Sequence, residues 1–234
     1  MMTKRQGFIG VVAAAAVLAC WAGTALAQPF SGGLPQCRKQ LSACRAGAQA
    51  FPATGQTTCW NSGGAVISCT GTGQDGDIQA GAALSYTDNG DGTITDNNTR
   101  LMWEKKSLDN TIHDQNTIYT WDNAFAVHVA GLNTANFAGH TDWRLPNVKE
   151  LQSILNLENF GPAVSSEFNT GCVAGCTACS CTASSIYWSS STTSANPVFA
   201  WFVEFSAAGA DRDGKIQANR VRAVRGGSNL GSSQ

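Results

Sequence analysis

Cys172, Cys176, Cys179 and Cys181 crowd into the ten residues CVAGCTACSC, and Cys37, Cys44, Cys59 and Cys69 form a second group well upstream. Two chemistries suit such density. Thiols of an exported chain oxidise to disulfides, whereas thiolates kept reduced can enclose zinc in a four-sulfur site. An oxidising compartment favours bridges, so all eight cysteines are assigned to disulfides. Cys59 and Cys69 flank CWNSGGAVISC, in which Asn61-Ser62-Gly63-Gly64 is a turn signal between short apolar runs. A hairpin bridge is expected there, leaving Cys37 to pair with Cys44. Pairing within 172–181 stays open.

Positive charge gathers near the carboxyl end. Arg212, Lys215, Arg220 and Arg222, with Arg225 beside them, form the candidate ligand surface. Strand alternation would place Arg220 and Arg222 on one face, and guanidinium forks suit sulfate or carboxylate groups on a glycan. The competing reading is a solvated face neutralised by Asp211, Asp213 and Glu204.

Other candidates carry less. DNGDGTIT at 88–95 has the look of a calcium loop, but with Asp91 and Gly92 at loop positions five and six, Thr87 and Asn98 fall where carboxylates are needed. A hairpin with solvent-facing Asp88, Asp91 and Asp96 is expected, with a weak calcium site of non-EF type as the alternative, and no other metal or cofactor. A Ser-His-Asp hydrolase would have to use His113, His128 or His140, none near a GxSxG elbow. His128 falls within a helix pattern and is expected to pack, and His140 to make a structural hydrogen bond. Glu104, Glu150, Glu158, Glu167 and Glu204 could supply paired carboxylates for glycan hydrolysis, but no spacing selects two of them.

The elements that position these residues follow from periodicity. Residues 84–87 and 93–95 are strand-like runs around a turn carrying Asn-Gly and Asp-Gly pairs. Leu101-Met102-Trp103 is a buried strand. Thr120 caps a helix from Trp121 to about Leu132. Asn147 and Glu150 form a capping box for a helix with Val148, Leu151, Ile154 and Leu155 on its apolar stripe. Later strands are expected at 186–189, 199–205 and 220–224, and Trp103, Trp121, Trp143, Trp188 and Trp201 mostly in the core. Two main helices among short, mostly antiparallel strands and long polar loops indicate α+β.

The amino terminus addresses the chain. Lys4 and Arg5 precede an apolar run ending near Trp21, and Ala25-Leu26-Ala27 supplies the small residues of a signal-peptidase site, so cleavage is expected after Ala27. A lipoprotein anchor at Cys20 is the alternative. Removing Lys4 and Arg5 from 15 basic residues leaves 13 against 16 acidic ones, a net charge of −3. That balance argues against nucleic acid as partner. No transmembrane segment is expected in the mature chain. The organisation is then a signal peptide at 1–27, a cysteine-containing extension at 28–83 with a short helix around Cys37 to Ala46, a main domain at 84–227 and a tail at 228–234.

The blocks YTDNGDGTITDNNTRLMWEK, GHTDWRLPNVKEL, YWSSS, AWFVEF and VRAVRGG occur in one order between residues 86 and 227. In this they resemble the Lcl C-terminal domain family of secreted bacterial proteins, named after a collagen-like surface adhesin. The resemblance implies a compact domain similar to C-type-lectin-like and formylglycine-generating-enzyme folds. The sequence departs from the family pattern at His140, where Tyr is expected, at Arg100, where Gly is usual, and in CVAGCTACSC, which reads as an insertion. The expected function is a secreted, periplasmic or surface-held, non-catalytic binding or adhesion module for an extracellular polysaccharide or cell-surface component. A structural part of an envelope assembly and a glycan hydrolase are the alternatives.

Overall fold

The computed structural model describes residues 51–227. The signal peptide, the Cys20 anchor, the Cys37–Cys44 pair, the helix near Cys37 to Ala46 and the tail lie outside the described residues. In chain order the strands are β1 (Cys59–Trp60), β2 (Val66–Ile67), β3 (Tyr86–Asp88), β4 (Thr93–Asp96), β5 (Leu101–Glu104), β6 (Lys106–Leu108) and β7 (Ile118–Tyr119). They continue with β8 (Cys176–Cys181), β9 (Ile186–Thr192), β10 (Phe199–Glu204), β11 (Gly209–Gly214), β12 (Asn219–Arg220) and β13 (Val224–Gly226). Short helices are α1 (Asp75–Ile78), a composite α2 over residues 121–134, and α3 (Val148–Gln152). The class is α+β, with sheet predominating.

A four-stranded antiparallel sheet has the order β13-β5-β4-β3, and a five-stranded sheet has the order β11-β10-β9-β12-β7. In the second, β12 lies parallel to β9 and the other pairs are antiparallel. β6 and β8 form a separate ribbon. The largest core joins the sheets: Ile94, Leu101, Trp103, Leu151, Ile154, Phe168, Tyr187, Val203, Phe205 and Val224 pack together. A smaller cluster sets Leu145 and Trp188 against Ala124, Ala200 and Val221. Trp103, Trp143 and Trp188 are buried as expected, while Trp121 and Trp201 are only half-buried. The Trp121 ring instead lies under the Lys215 ammonium, 3.8 Å from its centroid.

Local signals set the element starts. Thr120 accepts from Asn123 N and caps α2. Its middle, Ala124–Val129, is π-helical, and His128 within that stretch is buried. At α3, Asn147 Oδ1 accepts from Lys149 N and Glu150 N, both at 2.9 Å, and Glu150 Oε2 accepts from Asn147 N at 2.8 Å. Arg144 then clasps the Glu150 carboxylate with two donors at 2.7 and 2.6 Å. The capping box, the Arg144 turn and the buried Leu151 form one unit. The helix stops at Gln152, so the apolar stripe continues into a turn rather than a second helical turn.

The described part of the extension is tied down. Cys59 and Cys69 are bridged across the β1–β2 hairpin, and Asn61 Oδ1 accepts from Gly63 N and Ala65 N within its turn. Glu158, from the main body, accepts from Thr57 N at 2.7 Å, from Thr58 N at 3.1 Å and from the Thr58 hydroxyl.

Two expectations change. Residues 220–224 are not one strand: Asn219–Arg220 belong to the five-stranded sheet and Val224–Gly226 to the four-stranded one. Val221, Arg222 and Ala223 cross between them through the interior. Asp96 is not solvent-facing either; it is 2% exposed and folds its own turn, accepting from Asn98 N, Thr99 N and Thr99 Oγ1.

Arg100 closes that turn with φ +62° and an exposed side chain, a conformation that disfavours any residue with a Cβ. Arg100→Gly is therefore expected to raise stability by about 0.5–1 kcal/mol, read as a higher urea midpoint at unchanged slope. A lower midpoint would contradict the strain argument.

Candidate functional site

Strand β5 ends in a carboxylate with no exposure to solvent. Glu104 is reached by Lys106 Nζ at 3.0 Å and His113 Nδ1 at 2.9 Å on one oxygen. On the other it meets His128 Nε2 and Ala223 N, each at 2.9 Å. These donors come from β6, the loop after it, α2 and the inter-sheet crossing. Glu104 and Lys106 lie two residues apart along an extended chain, which puts both on one side. The loop bearing His113 is folded by two aspartates. Asp109 accepts from Ser107 Oγ and Thr111, and the buried Asp114 accepts from Asn110 N and Asn116 N, both at 2.7 Å.

Burial pushes the Glu104 carboxyl up, but the field of His128 and of the Lys106 ammonium, with the histidine hydrogen bonds, holds it well below its ordinary range. Burial pulls His128 below its ordinary 6.5 against the opposing pull of Glu104. Its Nδ1 is buried without a hydrogen-bond partner. A neutral ring that donates through Nε2 and leaves a bare acceptor at Nδ1 fits both facts, since an orphaned N–H would cost more. Lys106 is likewise pulled down by burial and held up by Glu104. Glu104 and Lys106 thus form a compensated buried pair.

Lys106 and His113 form the floor of a cleft of about 630 Å³. The β3–β4 hairpin supplies one side with Asp88, Asp91 and Gly92, and β8 supplies another with Thr177, Ala178 and Cys179. Phe137 closes in between, its ring 4.4 Å from the His113 ring. Gly92 has φ +91°, and a Cβ there would stand 3.2 Å from the Phe137 ring. The rim acids are engaged: Asp88 pairs with Lys105 at 2.7 Å, and Asp91 accepts from Thr93 N and Thr93 Oγ1.

The Lcl C-terminal domain family matches residues 92–225. The chain belongs to that family. No curated protein matches it. The matched stretch carries the whole Glu104 network and most of the cleft. In this Lcl C-terminal domain the segment 172–181 contains β8, with Cys172 bridged to Cys181 and Cys176 to Cys179.

The basic residues expected to form a ligand surface do not assemble into one. Arg222 is fully buried; it donates to Glu104 O at 2.9 Å, Cys181 O at 2.7 Å and Thr182 Oγ1 at 2.7 Å. Arg220 donates to Gln115 O at 2.9 Å and Ser185 Oγ at 2.8 Å. Lys215 sits on Trp121 and donates to Thr192 Oγ1, and Arg225 pairs with Asp142. Arg212 alone among these is exposed. The physical reason is the crossing at 221–223, which runs through the interior and turns Arg222 inward onto the carbonyls of Glu104 and Cys181. Nor do the candidate glutamates converge. Glu150 caps α3, Glu158 holds the extension, Glu204 accepts from Ser206 and Glu167 from Ser166.

The depressed values of His128 and Glu104 carry the same sign. Each stabilises the fold fully above its unfolded value and progressively less as pH falls toward the folded one. Stability is therefore expected to erode below about 6.5 through His128 and further below about 4.5 through Glu104. Glu104→Gln leaves Lys106 buried without its counter-charge and is expected to cost about 3–5 kcal/mol at neutral pH, to abolish the carboxylate's own loss of stability below about 4.5, and to pull His128 further down, since Glu104 is what holds it up. Urea unfolding across pH 4–8 measures both, and an unchanged pH profile in the variant would remove Glu104 from this role.

Proposed function

We propose that this chain is a secreted, non-catalytic binding module whose cleft at Lys106 and His113 takes an extracellular glycan or a comparable cell-surface component. The observation that carries the reading is the pre-formed floor, two cationic or polar side chains held immobile on a buried carboxylate beside a half-exposed aromatic ring. Concave sites with an apolar wall and a few fixed polar groups are the usual architecture of small-ligand recognition. A sugar offers the matching chemistry, a C–H face for Phe137 and hydroxyls for Lys105, Asp88 and Asp91. Both Glu104 oxygens are already occupied by donors, which favours a scaffolding role over general acid or base work.

Three bridges among the described residues suit an oxidising compartment. Among the described residues no helix is long and apolar enough to cross a membrane. The likeness to C-type-lectin-like domains implied by the motifs belongs to the same proposal, as does adhesion.

A glycan array probed with the native chain tests it. Thr177 is exposed on the cleft wall, so Thr177→Trp fills the cleft from a position that carries no core packing. Saturable binding is expected to fall on the order of tenfold, or about 1.4 kcal/mol, in Thr177→Trp and to persist in Arg212→Ala. Binding lost in Arg212→Ala but kept in Thr177→Trp would move the ligand to the edge strand, and an array with no retained glycan would end the glycan reading.

A further inference from the structure

The two bridges of the segment 172–181 are nested, Cys172–Cys181 outside and Cys176–Cys179 inside, and their sulfurs face each other. Cys179 Sγ lies 3.5 Å and Cys176 Sγ 3.9 Å from Cys181 Sγ, which belongs to the other bridge. Zinc–thiolate bonds of about 2.3 Å in a tetrahedron place neighbouring sulfurs about 3.8 Å apart. The two non-bonded separations bracket that edge. Sulfurs of Cys176, Cys179 and Cys181 all lie within 4.8 Å of one another, and Cys172 is brought alongside by its bond to Cys181. The backbone therefore already gathers four sulfurs into the volume of one tetrahedral ion.

The surroundings suit thiolates. Gln115 Nε2 donates to Cys172 Sγ at 3.4 Å, the kind of outer hydrogen bond that steadies a metal-bound sulfur. Arg222, fully buried, donates to Cys181 O, and no carboxylate comes within 4.0 Å of its guanidinium among the described residues. Lys105 Nζ is 3.5 Å from Ala178 O. Nearby cations lower thiol pKa values and offset the charge of a four-thiolate centre. By contrast Cys59 and Cys69 bring only two sulfurs together.

The geometry points to a second state of this segment, in which reduced Cys172, Cys176, Cys179 and Cys181 bind one zinc ion as four thiolates. Two equivalents of a dithiol reductant supply four electrons and four protons, break both S–S bonds and leave as two disulfides. Zinc then displaces four protons and forms four Zn–S bonds, giving a centre of net charge −2. The bridged and zinc-bound forms are alternative closures of the same β8 wall, and neither depends on what the cleft binds.

The native chain, reduced by a non-chelating phosphine without air, given zinc and freed of excess metal, provides the test. One zinc per chain is expected. Alkylation followed by peptide mass spectrometry should show Cys172, Cys176, Cys179 and Cys181 protected on the order of tenfold relative to metal-free reduced chain, with Cys59 and Cys69 reacting freely. Cobalt in place of zinc should give the visible absorption of a tetrahedral thiolate site, lost in the Cys176→Ser/Cys179→Ser variant. Zinc that leaves the alkylation rates of the four unchanged, or that protects Cys37, Cys44, Cys59 or Cys69 instead, would overturn the assignment. The protection assay uses no variant, so it decides the matter even where the double substitution fails to fold.

Discussion

A single buried carboxylate sets the terms for the rest of this domain. Glu104 at the end of β5 cannot remain charged in the interior unless donors come to it. They come from four separate stretches of chain: Lys106, His113, His128 and the Ala223 amide. The loop at 109–116, the π-helical middle of α2 and the crossing between sheets are thereby fixed against one another. Removing any one donor would leave the others around a partly satisfied charge, so the arrangement behaves as a unit. The cleft floor is the outer surface of this unit, and its rigidity is inherited from the interior.

Arg222 is the counterpart on the other side of β5. Where the chain leaves one sheet for the other, the buried guanidinium donates to the carbonyls of Glu104 and Cys181 and so ties the crossing to β5 and β8. Its planar fork suits several acceptors at once, which a lysine could not match. The same residue packs over the Phe168 ring, 5.3 Å away, so the crossing is both hydrogen-bonded and packed.

Features written in neighbouring residues could be read from the sequence. The Asn147–Glu150 capping box, the Thr120 cap, the DNGDG hairpin and the Cys59–Cys69 bridge each depend on residues a few positions apart, and each is present. What depended on distant partners could not be read. β6 and β8 pair residues as far apart as Lys106 and Cys181, and the 220–224 segment alternates like one strand until its two ends find different sheets. The site suffered most. Lys106 and Glu104, two apart in LMWEKK, were the available signal for an inward charge pair, but His113 and His128 join them only through tertiary folding. The basic cluster at the carboxyl end was legible as composition and misleading as geometry.

Strand β11 forms one margin of the five-stranded sheet, with Asp211, Arg212 and Asp213 in sequence along it. Unpaired strand margins invite further chains to extend the sheet, and charged side chains are a common deterrent. Among the described residues no strand pairs with the far side of β11, and the exposed Arg212 then has a use that needs no ligand: it guards that backbone ladder. Copies of this domain crowded together at high local concentration would meet there a charged border rather than an apolar template.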